Sequence, residues 1–474
     1  MLQHCRQIFI VATLAMTPAW SCAKEMILTP ADDPIVGELE PVLIKLLDGS
    51  EPDLAYRDIY QDRALQGLIA KHDLKLFSGP MLGCVTPTSA RFWLRASEPA
   101  KVRVVVQAVG DAAQFKSSTG QITVSNDLTG LFDVSGLQAN THYVYNVLIN
   151  GEPQFKTLPQ FRTAPAKGAG KRIDIAFGGG ARYIPAKERI WDTIAGRQPA
   201  AFLALGDNLY IDLPMKRNMQ NLYYYRRLLR PEFRRLISTT PIYSIWDDHD
   251  FGDNDCEGGA ETFKPSWKVK VWEVFRNNWN NPGYGGGTQQ PGCWYDFSIG
   301  DIDFFMTDGR YYRSREAGQM LGPGQMEWLL DKLAASQAVF KVIASGTLWT
   351  EFADKGGRDS WWGFPEERER LLGFIEQKRI EGVVLISADR HRSEVFKIAR
   401  PNGYAFYEFE SSKLTNDHTH GPNKKSLISF NKGNFFGLLT FDFTLDDPAV
   451  TFRCITSDDE ETQQFTVYRS DLSY

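Results

Sequence analysis

The 474-residue sequence is short of cysteine, with six, at positions 5, 22, 84, 256, 293 and 454. No two of them have the CxxC spacing of a structural zinc site, which excludes a small metal-stapled domain. In an oxidising compartment Cys256 and Cys293 can be read as a disulfide, with buried free thiols as the equal alternative. No apolar run outside the N-terminus approaches the roughly 18 residues of a membrane-spanning helix. Basic residues give no surplus: 53 Lys and Arg face 58 Asp and Glu, for a net charge of −5 and a pI near 5.9. That balance excludes a chain-wide basic footprint, so no specific nucleic-acid recognition is expected. There is no internal repeat and no low-complexity tract. The 43% hydrophobic content is enough for a substantial core and excludes global disorder.

The first residues read as an export signal. One Arg precedes an apolar stretch at 8–16, too short to span a bilayer, and Ala19 and Ser21 supply small residues where a peptidase cuts. Residues 1–22 are therefore expected to be removed, placing the protein in the periplasm or outside the cell. Cleavage just before Cys22 would instead leave a lipid-anchored N-terminus. Residues 24–76 form a helical extension, with apolar residues at helical spacing over 34–47 and 58–69. Residues 77–165 read as short strands with a hairpin turn at Asn150-Gly151, a small β-sandwich that resembles a fibronectin type III module. A linker at 166–171 leads into residues 172–474. There, strand-like runs at 173–177, 201–205, 242–246, 304–307, 339–344 and 383–387 are interleaved with helical patterns at 186–196, 220–238, 324–336 and 365–378. This alternation predicts an α/β fold, and a hairpin at 293–308 with further strands over 404–469 makes its sheet mixed.

Ligands of open α/β sheets bind beyond the C-terminal ends of the strands. Here those ends carry Gly206-Asp-Asn-Leu-Tyr210, Asp247-Asp-His-Asp250 with Gly252-Asp-Asn-Asp255, Asp308-Gly-Arg310, and Ala388-Asp-Arg-His391. Clustered carboxylates repel one another unless a cation sits among them. Aspartate oxygen with imidazole nitrogen suits Zn, Mn or Fe, and all-oxygen ligation suits Ca or Mg. A phenolate such as Tyr210 favours Fe(III). Two metals about 3.5–4 Å apart would hold a phosphate and activate water for in-line attack. Arg310 and Arg390 are the candidates to grip phosphate oxygens with forked hydrogen bonds. A single Asp after a strand is more often a turn or cap residue. Four clusters at separate strand ends are far more specific.

The order GDxxY, WDDHD, DGRYYR and SADRH resembles the alkaline phosphatase D (PhoD-like) family of metallophosphoesterases, over about 77–455. The Tyr of GDxxY also resembles purple acid phosphatases. The resemblance implies a metallophosphoesterase-like mixed sheet sandwich behind a small all-β domain, and a dinuclear or multinuclear site holding Fe(III) with Ca, or Zn or Mn. It implies metal ligation by Asp207, Tyr210, Asp248, Asn254, Asp389 and His391. It implies that His249 contacts phosphate or protonates the leaving oxygen, with Asp247 and Asp250 orienting it. The family's first strand ends in a turn with a metal-ligating Cys, whereas here Gly180 stands in that place.

The functional expectation is an exported, metal-dependent hydrolase of small or polymeric phosphate mono- or diesters. The competing expectation is a catalytically weakened surface protein that binds an anionic ligand, supported by Gly180. Other features read as structural. The basic run 223–235 is an amphipathic helix with a solvated face rather than a nucleic-acid groove. Trp272, Trp279 and Tyr284 are either a substrate wall or packing. His418 and His420 fall in a surface loop.

Overall fold

A computed structural model describes residues 33–49, 51–353 and 357–474. The segment expected to act as an export signal and Cys22 lie outside the described residues. Among the described residues no helix is long and apolar enough to cross a membrane.

The chain begins with helix Pro34–Leu47, whose N-cap Asp33 accepts from the amides of Ile35 and Val36. Leu39, Leu43 and Leu47 fall on one helical face and are fully buried. They pack near helix Arg217–Leu229, where Asn218 Nδ2 donates to the Leu47 carbonyl at 2.7 Å. The second expected helix is two, Tyr56–Ile59 and Arg63–Lys71, because Asp62 caps a fresh start. Strands from Leu76 to Arg162 then form two sheets, one of three strands and one of six; strand Leu76–Gly83 is buried along its whole length, while His142–Ile149 and Gln160–Arg162 bury alternate residues. Trp93 Nε1 reaches the Asn277 carbonyl at 3.0 Å and Tyr145 Oη the Ser238 carbonyl at 2.8 Å. The sandwich is thereby fastened to the larger α/β unit.

That unit is built on two mixed sheets. The first runs Ile242–Ile245, Ala201–Leu205, Arg172–Gly178, Phe435–Asp442, Ala449–Thr456, Glu461–Tyr468. Its first three strands are parallel neighbours. The second has seven strands, with Ile302–Met306, Phe340–Ala344, Val383–Ser387 and Phe406–Ser411 parallel at its centre. Side chains of the two sheets meet between them: Phe340 and Phe441 have ring centroids 5.3 Å apart, as do Phe409 and Phe452. The central strands Ala201–Leu205, Phe340–Ala344 and Val383–Ser387 are buried along their whole length. That is why they read as largely apolar runs, interrupted only by Lys341 and Ser387, rather than alternating ones. The helical pattern at 220–238 is two helices, Arg217–Leu229 and Pro231–Thr239, since Pro231 cannot donate its amide and starts a new helix at its first position.

The structure decides between two pairs of open alternatives and overturns one expectation. Cys256 and Cys293 are free thiols: Cys293 is fully buried at the hairpin base, while Cys256 Sγ lies 3.8 Å from the Asp248 carbonyl. Trp272 and Trp279 are buried, Trp272 on the helix Trp267–Asn278 and Trp279 capping its end, so they are packing residues. The basic run does not present a solvated face. Arg227 is buried against Glu188, Arg230 pairs with Glu232, and Arg235 forks onto Asp192.

Candidate metal centre

The parallel strands of the first sheet end at one edge, and Gly179 forms a parallel bridge to Ser412 that joins this edge to the second sheet. An open cleft of about 930 Å³ lies there. Asp207, Tyr210, Asp248, His249, Asn254, Asp389, Arg390 and His391 all line it. Of the nine residues expected to ligate metal or contact phosphate, Arg310 alone does not.

The turns that carry these residues are strained. Asp207, Tyr210, Asp212, Asp255, Asp389 and His391 all have positive φ, between 53° and 81°. Residues other than glycine rarely adopt this conformation, and it persists where surrounding structure over-determines it. The holding contacts are visible. Asp250 accepts from the amides of Asn208 and Leu209 at 2.8 and 3.0 Å, which pins the turn after Ala201–Leu205. Gly206 has φ 97°, and a Cβ there would lie 2.5 Å from the Asp247 Cβ, so only glycine fits. Asp250 therefore shapes the Asp207 turn rather than orienting His249. Asp212 orients that ring instead, with Oδ1 2.5 Å from Nδ1.

Asp207 is 2% exposed, and its Oδ1 has no hydrogen-bond partner. Burial, then the Asp248 charge, drives its pKa well above the usual carboxylate range. The Tyr210 hydroxyl donates to Asp207 Oδ2 at 2.8 Å and lies 2.7 Å from His391 Nε2. Burial works against a charge on His249, but the Asp212 hydrogen bond and the fields of Asp207 and Asp248 outweigh it and push its pKa up to about 10. Burial, then His418 and His420, bring His391 down to about 2, so its imidazole is neutral. A cation among the carboxylates would relieve the buried acids and is what a neutral imidazole ligates. Two groups of donor atoms each fall within 4.8 Å of one another along this cleft: Asp207 with Asp248 and His249, and His391 with His418 and His420. The partnerless Asp207 Oδ1 and this donor set fit a metal centre.

Arg310 is a correction. It is 0% exposed, its Nε donates to Asp247 at 2.5 Å, and its Nη1 and Nη2 reach Asp359 at 2.8 and 3.1 Å. Fully buried, with its fork on carboxylates and outside the cleft lining, it is not placed to grip a phosphate. Asp308 likewise serves the fold, accepting from the amides of Arg310 and Tyr311 and from Trp246 Nε1. Arg390 differs: it lines the cleft, and its buried Nε has no partner. Arg182, Arg226 and Arg358 also line the cleft, and none was singled out from sequence. Arg226 stacks over Tyr183 at 4.2 Å and pairs with Glu40 of the first helix at 2.5 Å. The N-terminal extension thus braces the rim. His418 and His420, expected in a surface loop, face the cleft.

Comparison with known proteins follows the same lines. The family described as "PhoD-like phosphatase" matches residues 175–436, more than half of the chain. A "Domain of unknown function (DUF7800)" matches 73–166. Alkaline phosphatase D of Bacillus subtilis (strain 168) is 29% identical over 141 residues, which are 25% of this chain and 23% of that protein. The aligned stretch thus spans less than a quarter of that relative's length. The solved structure of PhoD superposes with a TM-score of 0.69 at 17% identity, covering 83% of this chain and 91% of the other. A purple acid phosphatase from yellow lupin seeds superposes with a TM-score of 0.62 at 13% identity, covering 83% and 75%. At these identities the likeness to solved structures is one of fold.

Proposed function

The chain belongs to the PhoD-like phosphatase family, and from that premise we propose that it is an exported, metal-dependent hydrolase of phosphate mono- or diesters. The observation that carries the reading is the convergence of Asp207, Asp248, His249, Asp389 and His391 from both sheets on one cleft, with a buried Asp207 oxygen lacking a partner. Asp207, Asp248, Asn254 and Asp389 form the oxygen-rich side, suited to Ca, Mn or Zn. Tyr210 and His391 form the side suited to Fe(III) or another transition ion. When bound, such ions would neutralise phosphate oxygens and make water a stronger nucleophile near neutral pH.

The chain's own residues take the remaining roles. Arg390, with Arg182 and Arg358 of the same cleft, gives guanidinium donors to the phosphate oxygens. His249, turned by Asp212 at its Nδ1, holds a proton for the leaving oxygen. Asp250 and Gly206 keep the Asp207 turn in its strained form. The Tyr183 and Tyr223 rings at the rim supply a surface for the ester's organic group. Export rests on the apolar stretch at 8–16 and its small-residue flank.

The test is hydrolysis of 4-nitrophenyl phosphate and bis(4-nitrophenyl) phosphate after reconstitution with Fe, Mn, Zn and Ca. Turnover lost in excess chelator and in Asp207→Ala is expected. Absence of turnover with every metal, in a folded chain, sinks the hydrolase and favours the anion-binding reading.

A further inference from the structure

We propose that His391, His418 and His420 together bind one first-row transition-metal ion, making a histidine-rich metal site within the cleft. It deepens the metal-centre reading, on which it rests, and adds two ligands from a loop that has no regular structure.

The geometry is that of a site rather than a chance grouping. Each histidine offers one ring nitrogen, and the three nitrogens lie within 4.8 Å of one another. The ring centroids are 5.3 Å apart for His391 and His418, 5.9 Å for His391 and His420, and 4.6 Å for His418 and His420. A tetrahedral ion with Zn–N bonds of about 2.0–2.1 Å holds its ligands about 3.4 Å apart. His418 is exposed and His420 half-buried, so both side chains have room to close that difference. His391 is the fixed member, 7% exposed. In the tautomer that carries the ring proton on Nε2, His391 donates to the Tyr210 oxygen, whose own proton goes to Asp207. Its Nδ1 is then a bare lone pair, buried and without a hydrogen-bond partner.

A second observation concerns the loop backbone. Residues 413–420 are seated on the glycine turn that follows Arg172–Gly178. The amide of Leu414 donates to the Gly179 carbonyl at 2.9 Å, and those of Thr415 and Asn416 to the Gly180 carbonyl at 3.2 and 3.1 Å. A Cβ on Gly180 would meet Ser412 Oγ at 3.0 Å, and His391 Cδ2 and Lys413 Cα at 3.3 Å. The turn therefore has no room for a donor side chain of its own, because the histidine-bearing loop takes that space. Further along, Thr419 Oγ1 donates to the His391 carbonyl at 3.2 Å, and Asn431 Nδ2 donates to the His420 carbonyl at 2.9 Å. The loop is thus tied to His391 itself and pinned on both sides of His418. Three imidazole nitrogens as ligands suit Zn, Fe, Ni or Cu and discriminate against Ca and Mg.

The experiment is Co²⁺ titration of the full, chelator-stripped chain, read by visible absorption and by bound metal per chain. The wild type is expected to take up one more equivalent than the His418→Ala/His420→Ala variant, with ligand-field bands that the variant lacks and an affinity at least about 100-fold higher at that site. His418→Asn, at an exposed position, guards against misfolding. It should weaken Co²⁺ about tenfold with an unchanged melting temperature. Equal stoichiometry and spectra in wild type and double variant overturn the proposal. Loss of the bands where neither protein hydrolyses any ester upholds the histidine site and refutes the hydrolase. Hydrolysis with Co²⁺ binding unchanged in the variant does the reverse.

Discussion

Replacing Arg310 by methionine keeps the side chain's length and apolar stem but removes a guanidinium that is wholly buried among Asp247, Asp248 and Asp359. Asp247 and Asp359 would then sit at 2% and 0% exposure without this cation. Burial already outweighs Arg310 enough to lift the Asp247 carboxyl to about 8. Deleting one partner of a buried ion pair costs about 3–5 kcal/mol, a large share of the roughly 5–15 kcal/mol that holds a folded protein together. Urea unfolding followed by tryptophan fluorescence measures this directly. Arg310→Met should lower the extrapolated stability by about 3–5 kcal/mol. Arg310→Met with Asp359→Asn should cost less than the two single changes summed, by about 1–3 kcal/mol, because both single changes already break the Arg310–Asp359 pair. The reasoning is refuted if Arg310→Met unfolds at the wild-type midpoint and instead raises KM for 4-nitrophenyl phosphate more than about tenfold. That result would return Arg310 to the phosphate-binding role its DGR context suggests.

Other predictions are shorter. Asp212→Asn weakens the partner that turns His249, so kcat should fall about 10–100-fold with a smaller change in KM, and an unchanged kcat rejects the orienting role. Lys268→Met removes three hydrogen bonds to the carbonyls of Gly258, Gly259 and Tyr311, each 3.1 Å long, from a lysine that is 0% exposed. It should cost at least about 3 kcal/mol in urea unfolding; a loss below about 1 kcal/mol contradicts the bracing role. Burial is the chief cause that lifts the Glu408 carboxyl from 4.5 to about 7, against hydrogen bonds from Ser387, Trp349 and Thr350. A raised folded pKa contributes stability that is complete below the unfolded value and is lost as pH rises through the folded one. Between pH 4.5 and about 7, Glu408→Gln should therefore remove a decline on the order of 3 kcal/mol from the stability profile. Parallel profiles for the two proteins would reject this.

What could be read from the sequence was what local chemistry dictates. The strands Ala201–Leu205 and Val383–Ser387 stand out because runs of five and four apolar residues lead into Gly206-Asp and Ser387-Ala-Asp. The strand-end position of Asp207, Asp248, Asp389 and His391 follows from the same pattern. Direction within a turn is a different matter. Nothing in Asp308-Gly-Arg310 says that Arg310 folds inward onto Asp359, a residue 49 positions away that is delivered by a separate loop. Asp212 escaped notice because its only sequence signal, an Asp two residues after Tyr210, is common to turns. His418 and His420 sit in a stretch with no periodicity, and their place is set by hydrogen bonds to Gly179 and Gly180, which no local pattern encodes. The single helix read at 220–238 shows the converse: Pro231 was a local signal for a break that the long apolar periodicity obscured.

The central claim is that Asp207 anchors a metal centre in a hydrolytic cleft. Elemental analysis of the natively purified chain beside Asp207→Ala tests it most directly. The account predicts about two or more ions per chain in the wild type, at least one of them a transition metal, and loss of one or more in the variant. A wild-type chain that carries no metal yet hydrolyses 4-nitrophenyl phosphate at full rate in excess chelator would contradict it.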